Sequence, residues 1–245
     1  TSLLSISCKG STCISSGKNG IILRSTDAGE SWEIIPSGTE VDLYTVSWVT
    51  NSTLLVGGDS SAIYRSTDAG ESWQFDKKIF IMPDKWTSAE IFDIQFVNDS
   101  VGYMCGRLGS TGSFGSYIEY ARIHYTKDAG KTWQRLISSG NDPQYKDYDI
   151  RYTNCNKGYW RRLAVLTPDS VMVVGYDINR PSSMVIAGGP KSPLFEIRLS
   201  IDKADSIGIV TATPRLIMNM HSMSVAHWKF VTFDGEVLET VDAGQ

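Results

Sequence analysis

Apolar and polar residues alternate along this chain in short stretches, and clusters of turn formers separate the stretches. Leu-Leu-Ser-Ile-Ser-Cys at 3–8 and Leu-Tyr-Thr-Val-Ser-Trp-Val at 43–49 repeat with a period of two, the spacing of a strand with one buried face. Read this way, the chain falls into groups of four strands. The first group is 3–8, 13–16, 21–25 and 32–35, and the second is 43–49, 54–57, 62–66 and 72–75. The third is 91–97, 102–106, 118–126 and 132–136. The fourth is 161–166, 171–175, 194–200 and a weak strand near 207–210. A fifth runs from 216 through 227–233 to 236–240 and stops there.

Between the third and fourth strands of the groups an eight-residue pattern recurs. Ser25-Thr-Asp27-Ala-Gly29-Glu-Ser31-Trp32 returns as Ser66-Thr-Asp68-Ala-Gly70-Glu-Ser72-Trp73, and again as Thr126-Lys-Asp128-Ala-Gly130-Lys-Thr132-Trp133. Ser200-Ile-Asp202-Lys-Ala204-Asp-Ser206-Ile207 is a degenerate copy, and Thr240-Val-Asp242-Ala-Gly244-Gln245 an incomplete one. The residue types are those of a hairpin turn. Asp bonds amides ahead of it, Gly takes the positive-φ position, and the hydroxyls tie down the flanking backbone. Trp then packs back over the turn and onto a neighbouring sheet.

The pattern resembles the Asp-box, the BNR repeat of sialidases, xyloglucan-cleaving hydrolases, sortilin-type receptors and photosystem II assembly-factor-like proteins. The repeat style looks most like the assembly-factor-like and sialidase-like propellers. The resemblance implies an all-β fold, a β-propeller of four-stranded antiparallel blades in a ring of five to seven. It also implies that Asp27, Asp68, Asp128, Asp202 and Asp242 are structural and not catalytic. The chain is then one domain, with blades at about 1–36, 41–76, 91–137, 161–210 and 214–245. Because the fifth copy ends before its Ser/Thr-Trp, further residues beyond Gln245, or closure from outside the chain, are expected.

The box aspartates are 41 (27 to 68), 60 (68 to 128), 74 (128 to 202) and 40 (202 to 242) residues apart, so minimal units alternate with enlarged ones. The first-to-second-strand turns are short, and the boxes are the third-to-fourth turns. All the extra length falls in 76–90, 107–117, 137–160 and 176–193, which project from one end of the blades. Long loops on one rim of a rigid scaffold are where binding concentrates. The segment 143–162 is the richest, with Tyr145, Tyr148, Arg151, Tyr152, Tyr159, Trp160, Arg161 and Arg162. Aromatic and arginine side chains are preferred anchors for protein and glycan partners; the same residues would also serve to pack the loop onto the blades. Trp86, Arg107 and Arg180 join them on the expected rim.

Composition narrows the class. Of 245 residues, 41% are hydrophobic and 20% charged, which excludes a disordered chain. No run of 18 apolar residues occurs, so no membrane-spanning helix is expected. A formal net charge of −4 argues against nucleic acid as the partner. Cys8 and Cys13 flank a Lys-Gly-Ser-Thr turn and are placed either to bridge a hairpin or to remain two thiols in a strand pair. Cys105 reads as a buried small hydrophobe, and Cys155 sits in a polar stretch. Asn51-Ser-Thr and Asn98-Asp-Ser fit both glycosylation sequons and plain turns. His124, His221 and His227 are scattered, no metal-ligand spacing is present, and no cofactor is expected.

An enzyme of this shape would be a glycoside hydrolase, which needs two carboxylates about 5–10 Å apart over a cleft. Asp84, Glu90, Asp93, Asp147, Asp149 and Asp177 are the rim candidates, each equally at home as a solvated loop acid. Nothing like the Arg-Ile-Pro motif that usually precedes the first box in sialidases stands before Asp27. The sequence therefore points to a secreted, surface or periplasmic module that binds a protein or glycan, with hydrolysis as the alternative.

Overall fold

The computed structural model describes residues 2–79, 86–111, 117–138, 158–167, 170–177, 182–189, 192–198, 217–224, 227–232 and 235–240, with side chains for part of these. Among them the chain forms five antiparallel sheets, each a meander in chain order. The first is β1 (Leu3–Lys9), β2 (Thr12–Gly17), β3 (Ile22–Ser25) and β4 (Glu33–Ile35). The second is β5 (Leu43–Trp48), β6 (Leu54–Gly58), β7 (Ala62–Ser66) and β8 (Gln74–Lys78). The third is β9 (Trp86–Phe96), β10 (Gly102–Thr111), β11 (Tyr117–Thr126) and β12 (Gln134–Ser138). The fourth is β13 (Gly158–Thr167), β14 (Ser170–Asp177), β15 (Ser182–Gly189) and β16 (Ser192–Arg198), and the fifth is β17 (Ile217–Ser222), β18 (Trp228–Thr232) and β19 (Val237–Thr240). The first strands pack in sequence, β1 on β5, β5 on β9, β9 on β13 and β13 on β17. This is propeller architecture: sheets stand face to face, and their first strands line the middle.

The core lies between the sheets. Ile14 and Ile22 of the first sheet bury against Leu43, Val46, Leu54, Val56, Tyr64 and Trp73 of the second. Leu55 and Ile63, on the other face of the second sheet, bury against Ile91, Ile94, Met104 and Leu108 of the third. Each strand alternates between two such interfaces, which is why the sequence period is two while both faces are covered.

The three complete repeats form one turn three times. Ser25 Oγ donates to Asp27 Oδ1 at 2.7 Å and accepts from Gly29 N at 2.9 Å, while Ser31 N and Oγ donate to Asp27 Oδ1 and Oδ2 at 2.9 and 2.5 Å. Ser66, Asp68, Gly70 and Ser72 repeat this set, as do Thr126, Asp128, Gly130 and Thr132. These donors hold Asp128 at a pKa of about 2 and Asp27 lower still, so both are bound as carboxylates. The glycine is not alone in the left-handed region. Ala28, Ala69 and Ala129 precede it at φ 61°, 58° and 61°, and their amides donate to Ser11, Ser52 and Ser100 O in the first-to-second-strand turn. That bond holds an alanine where alanine is disfavoured.

Arginines carry each sheet onto the next turn. Arg24 Nε donates to Ala69 O at 3.1 Å, and Arg65 donates to Ala129 O and Gly130 O at 3.2 and 3.0 Å. Trp73 is buried against Ile14 and Ile22, whereas Trp32 is 38% exposed and donates to Gly29 O. Cys8 and Cys13 face each other across the β1–β2 hairpin and form a disulfide. Cys105 is buried and free.

Three expectations need correcting. The extra residues of the third unit lengthen strands rather than loops: β9 begins at Trp86 and β10 continues to Thr111, so Trp86 and Arg107 are strand residues. Tyr159 and Trp160 likewise belong to β13, together with Arg161 and Arg162. In the fourth unit the third strand is β15, inside the stretch expected to be a loop, and 194–200 mostly forms the fourth strand, β16. The degenerate repeat at 200–207 therefore follows the fourth strand instead of preceding it. Asp202 and Asp242 themselves lie outside the described residues. Contiguous alternation in Ser-Ser-Met-Val-Ile-Ala-Gly-Gly is weak, and the flanking Pro181 and Pro190 make the strand read as loop.

Candidate binding site in the central cavity

Each first strand carries a bulge at the same place. The pairing skips one residue between Leu3 and Ser5, Leu43 and Thr45, Ile91 and Asp93, Trp160 and Arg162, and Ile217 and Asn219. Opposite the first four stand Gly17, Gly58, Gly106 and Gly175. A Cβ on Gly58 would lie 2.0 Å from Asp42 O, and one on Gly106 2.0 Å from Glu90 O, so the bulge excludes any side chain there.

The residue after the bulge is a side chain that reaches the neighbouring sheet. Val46 N donates to Ser5 Oγ at 3.3 Å, Ile94 N to Thr45 Oγ1 at 3.2 Å, and Leu163 N to Asp93 Oδ2 at 2.9 Å. Arg162, which has no acceptor, holds this position in the fourth sheet and donates to Phe92 O at 3.1 Å. In the fifth, Met220 N donates instead to Asn219 Oδ1 at 2.9 Å.

Inside this ladder lies a cavity of about 610 Å³, lined by residues of all five first strands. Leu3 and Ile6 supply one side; Asp93, Gln95, Arg162 and Asn219 supply polar groups. Asp93 is buried and also accepts from Thr45 Oγ1 and Gln95 Nε2, both at 3.3 Å. Burial raises its pKa to about 6 against the opposing pull of Arg162 and its hydrogen-bond donors. Burial, reinforced by Asp93, pushes the Cys105 thiol well up, so it is no nucleophile.

A second cluster sits at the start of the inner strands, on the side from which the longer connections leave. Arg107 grips Glu90 with two bonds of 2.7 and 3.0 Å and lies over the Phe92 ring, 5.7 Å from its centre. Tyr44 lies at a tilt to Phe92, ring centres 5.4 Å apart, among the carboxylates of Asp59, Asp42 and Glu90. Burial first, and then the neighbouring carboxylates of Asp59, Asp42 and Glu90, hold the proton firmly on Tyr44.

Of the residues expected on the rim, Arg107 and Arg162 are described fully, and both are ion-paired or hydrogen-bonded into the scaffold. Trp86, Tyr159, Trp160 and Arg161 have their backbones in β9 and β13. Tyr145, Tyr148, Arg151, Tyr152 and Arg180 lie outside the described residues, as do Asp84, Asp147, Asp149 and Cys155. Tyr44, Thr45, Asp59, Gln95 and Asn219 went unnoticed because they stand in minimal units or ordinary strands. The signal available was the aligned position after the bulge, where Ser5, Thr45, Asp93, Arg162 and Asn219 differ while the next residue stays apolar, as Ile6, Val46, Ile94, Leu163 and Met220.

The chain matches no protein-family model and no curated protein. It is similar in structure to YCF48 bound to D1 peptide, at 15% identity and TM-score 0.61, over 99% of this chain and 65% of that one. It also resembles YCF48 from Cyanidioschyzon merolae, at 14% and 0.58, over 99% of this chain and 83% of that chain. The Niastella koreensis GH74 enzyme matches at 14% and 0.66, over 99% of this chain and 36% of the enzyme. The chain thus spans less than two thirds of the first of these and about a third of the last. At such identities the likeness shows the fold, a β-propeller, and not the activity.

Proposed function

We propose that this chain is a non-catalytic binding module of the Asp-box propeller superfamily, working outside the cytoplasm and recognising a protein or glycan through its longer-connection face and the cavity beneath. The observation that carries this reading is the engagement of the carboxylates. Asp93 accepts from Leu163, Thr45 and Gln95 and faces Arg162; Glu90 is held by both nitrogens of Arg107. Asp93 is committed to holding the third sheet to the second and fourth, and Glu90 to pairing β9 with β10 inside the third. A structural neighbour seen with a bound peptide supports a protein partner. The Cys8–Cys13 bridge suits an oxidising compartment.

Glycoside hydrolysis is the second reading. A carboxyl group raised to about 6 resembles a general acid, and a phenol beside the Asp59 carboxylate resembles the tyrosine nucleophile of sialidases. Against it, the surrounding carboxylates make Tyr44 a poor phenolate. A glycan array run with a panel of chromogenic glycosides decides the matter. Ligand capture without turnover is expected, and turnover lost in a folded Asp93→Asn variant would overturn the binding reading.

A further inference from the structure

We propose that the central cavity is a peptide site, in which Gln95 and Asn219 read one backbone amide of an extended segment and Leu3 and Ile6 receive its aliphatic side chain. This rests on the binding-module reading and narrows it to an uncharged peptide ligand.

The two carboxamides are fixed in opposite senses. Gln95 Nε2 donates to Leu163 O at 2.6 Å and to Asp93 at 3.3 Å, which turns Oε1 away as an acceptor with no partner among the described residues. Asn219 Oδ1 accepts from Met220 N at 2.9 Å, which leaves Nδ2 as a donor with no partner among them. One fixed acceptor and one fixed donor on the lining of a single cavity match the N–H and C=O of a peptide group. A sugar hydroxyl, which both gives and accepts, requires no such division.

The rest of the lining agrees. Leu3 and Ile6 are 50% and 61% exposed, and with Leu4, Val46 and Ile94 they give the cavity apolar surface among Ser5, Ser7, Ser15 and Ser47. The two charged residues on the lining, Asp93 and Arg162, are of opposite sign and adjacent, so the cavity offers no net charge to a ligand. Its volume of about 610 Å³ lies within the ordinary range of about 300–1,000 Å³ for ligand sites, enough for a few residues in extended form.

The test is calorimetric titration and saturation-transfer NMR with acetyl-Gly-Leu-Gly-Leu-Gly-amide, its serine-for-leucine counterpart and a xyloglucan oligosaccharide. The probes are applied to the whole chain and to Asn219→Ala and Leu3→Ser, two exposed positions. The leucine peptide is expected to bind, with a loss of at least tenfold in each variant and for the serine peptide. Unchanged leucine-peptide binding in both folded variants overturns the cavity site and leaves the module reading intact. Oligosaccharide binding that replaces peptide binding and is lost in the variants overturns the peptide chemistry alone. If no probe binds the unmodified chain at millimolar concentration, this proposal fails together with the module reading.

Discussion

Asp93→Asn removes a charge that folding must bury, and its consequence is a change of slope with pH. The pKa of Asp93 rises from its ordinary 3.8 to about 6 in the folded chain, chiefly through burial. A raised carboxyl pKa means that the folded state holds the proton more tightly than the unfolded state. Stability from this residue is therefore complete below about pH 4 and is lost as the pH climbs through 6. Two pH units at about 1.36 kcal/mol each amount to roughly 3 kcal/mol. Urea unfolding of both chains at half-unit steps from pH 4 to pH 8 measures it. The variant-minus-parent difference cancels the repeat aspartates, whose lowered pKa values act in the opposite sense and at lower pH. At pH 4 the variant should be the less stable by about 1–3 kcal/mol, because an amide nitrogen replaces an acceptor beside Leu163 N. By pH 8 that deficit should have shrunk by about 3 kcal/mol. A difference that is flat across the range, or that widens with pH, would refute the account of Asp93 as a buried, charge-strained link.

Three further outcomes test the contacts between sheets. Gly70→Ala places a Cβ 2.4 Å from Ile14 Cδ1, whereas Gly29→Ala meets nothing nearer than 3.7 Å, and both glycines have positive φ. Both variants should lose about 1–2 kcal/mol to the left-handed backbone, and Gly70→Ala about 1–3 kcal/mol more to overpacking; equal melting temperatures for the two would exclude the intersheet contact. Arg65→Ala leaves Ala129 O and Gly130 O without their guanidinium and should lower the unfolding free energy by about 1–3 kcal/mol, with the urea midpoint as the measure and no change as the contrary result. Opening the short Cys8–Cys13 loop by a Cys8→Ser, Cys13→Ser double variant should cost about 2 kcal/mol, read as a drop in the denaturation midpoint that added dithiol reproduces in the parent.

The fold was legible wherever a local pattern had a local cause. The first two units are minimal, their strands alternate cleanly, and the Ser/Thr and Asp of each repeat bond within five residues of one another, so reading along the chain finds them. The third and fourth units were harder for a physical reason. Residues 86–90 and 107–111 look like loop because Arg107, Glu90 and Gly109 interrupt the alternation. They are strand because Arg107 and Glu90 satisfy each other across β9 and β10. A salt bridge between partners 17 residues apart has no short-range signature. The site was less legible still. Aromatic and arginine content pointed to 143–162, most of which is not described, while Gln95 and Asn219 earn their place only through neighbours in other sheets.

The position after the bulge shows how closely the needs of the fold and the chemistry of the cavity are joined. A bulge leaves an amide turned out of its own sheet, and a buried amide must find an acceptor. Ser5, Thr45 and Asp93 supply that acceptor to the next sheet, and any residue with a short oxygen-bearing side chain would do the same. Three residue types thus meet one structural need, so the choice among them is free to set what the cavity presents. Arg162 departs from the rule. It gives up the acceptor, and Met220 N is satisfied by Asn219 within its own sheet, a rearrangement that the fold does not require. The same exchange sets Arg162 beside Asp93 and leaves the amide nitrogen of Asn219, a lining residue, without a partner among the described residues. Departure from the ladder in the fourth and fifth sheets, which bring Arg162 and Asn219 to the lining, is what the proposed peptide site asks of this scaffold.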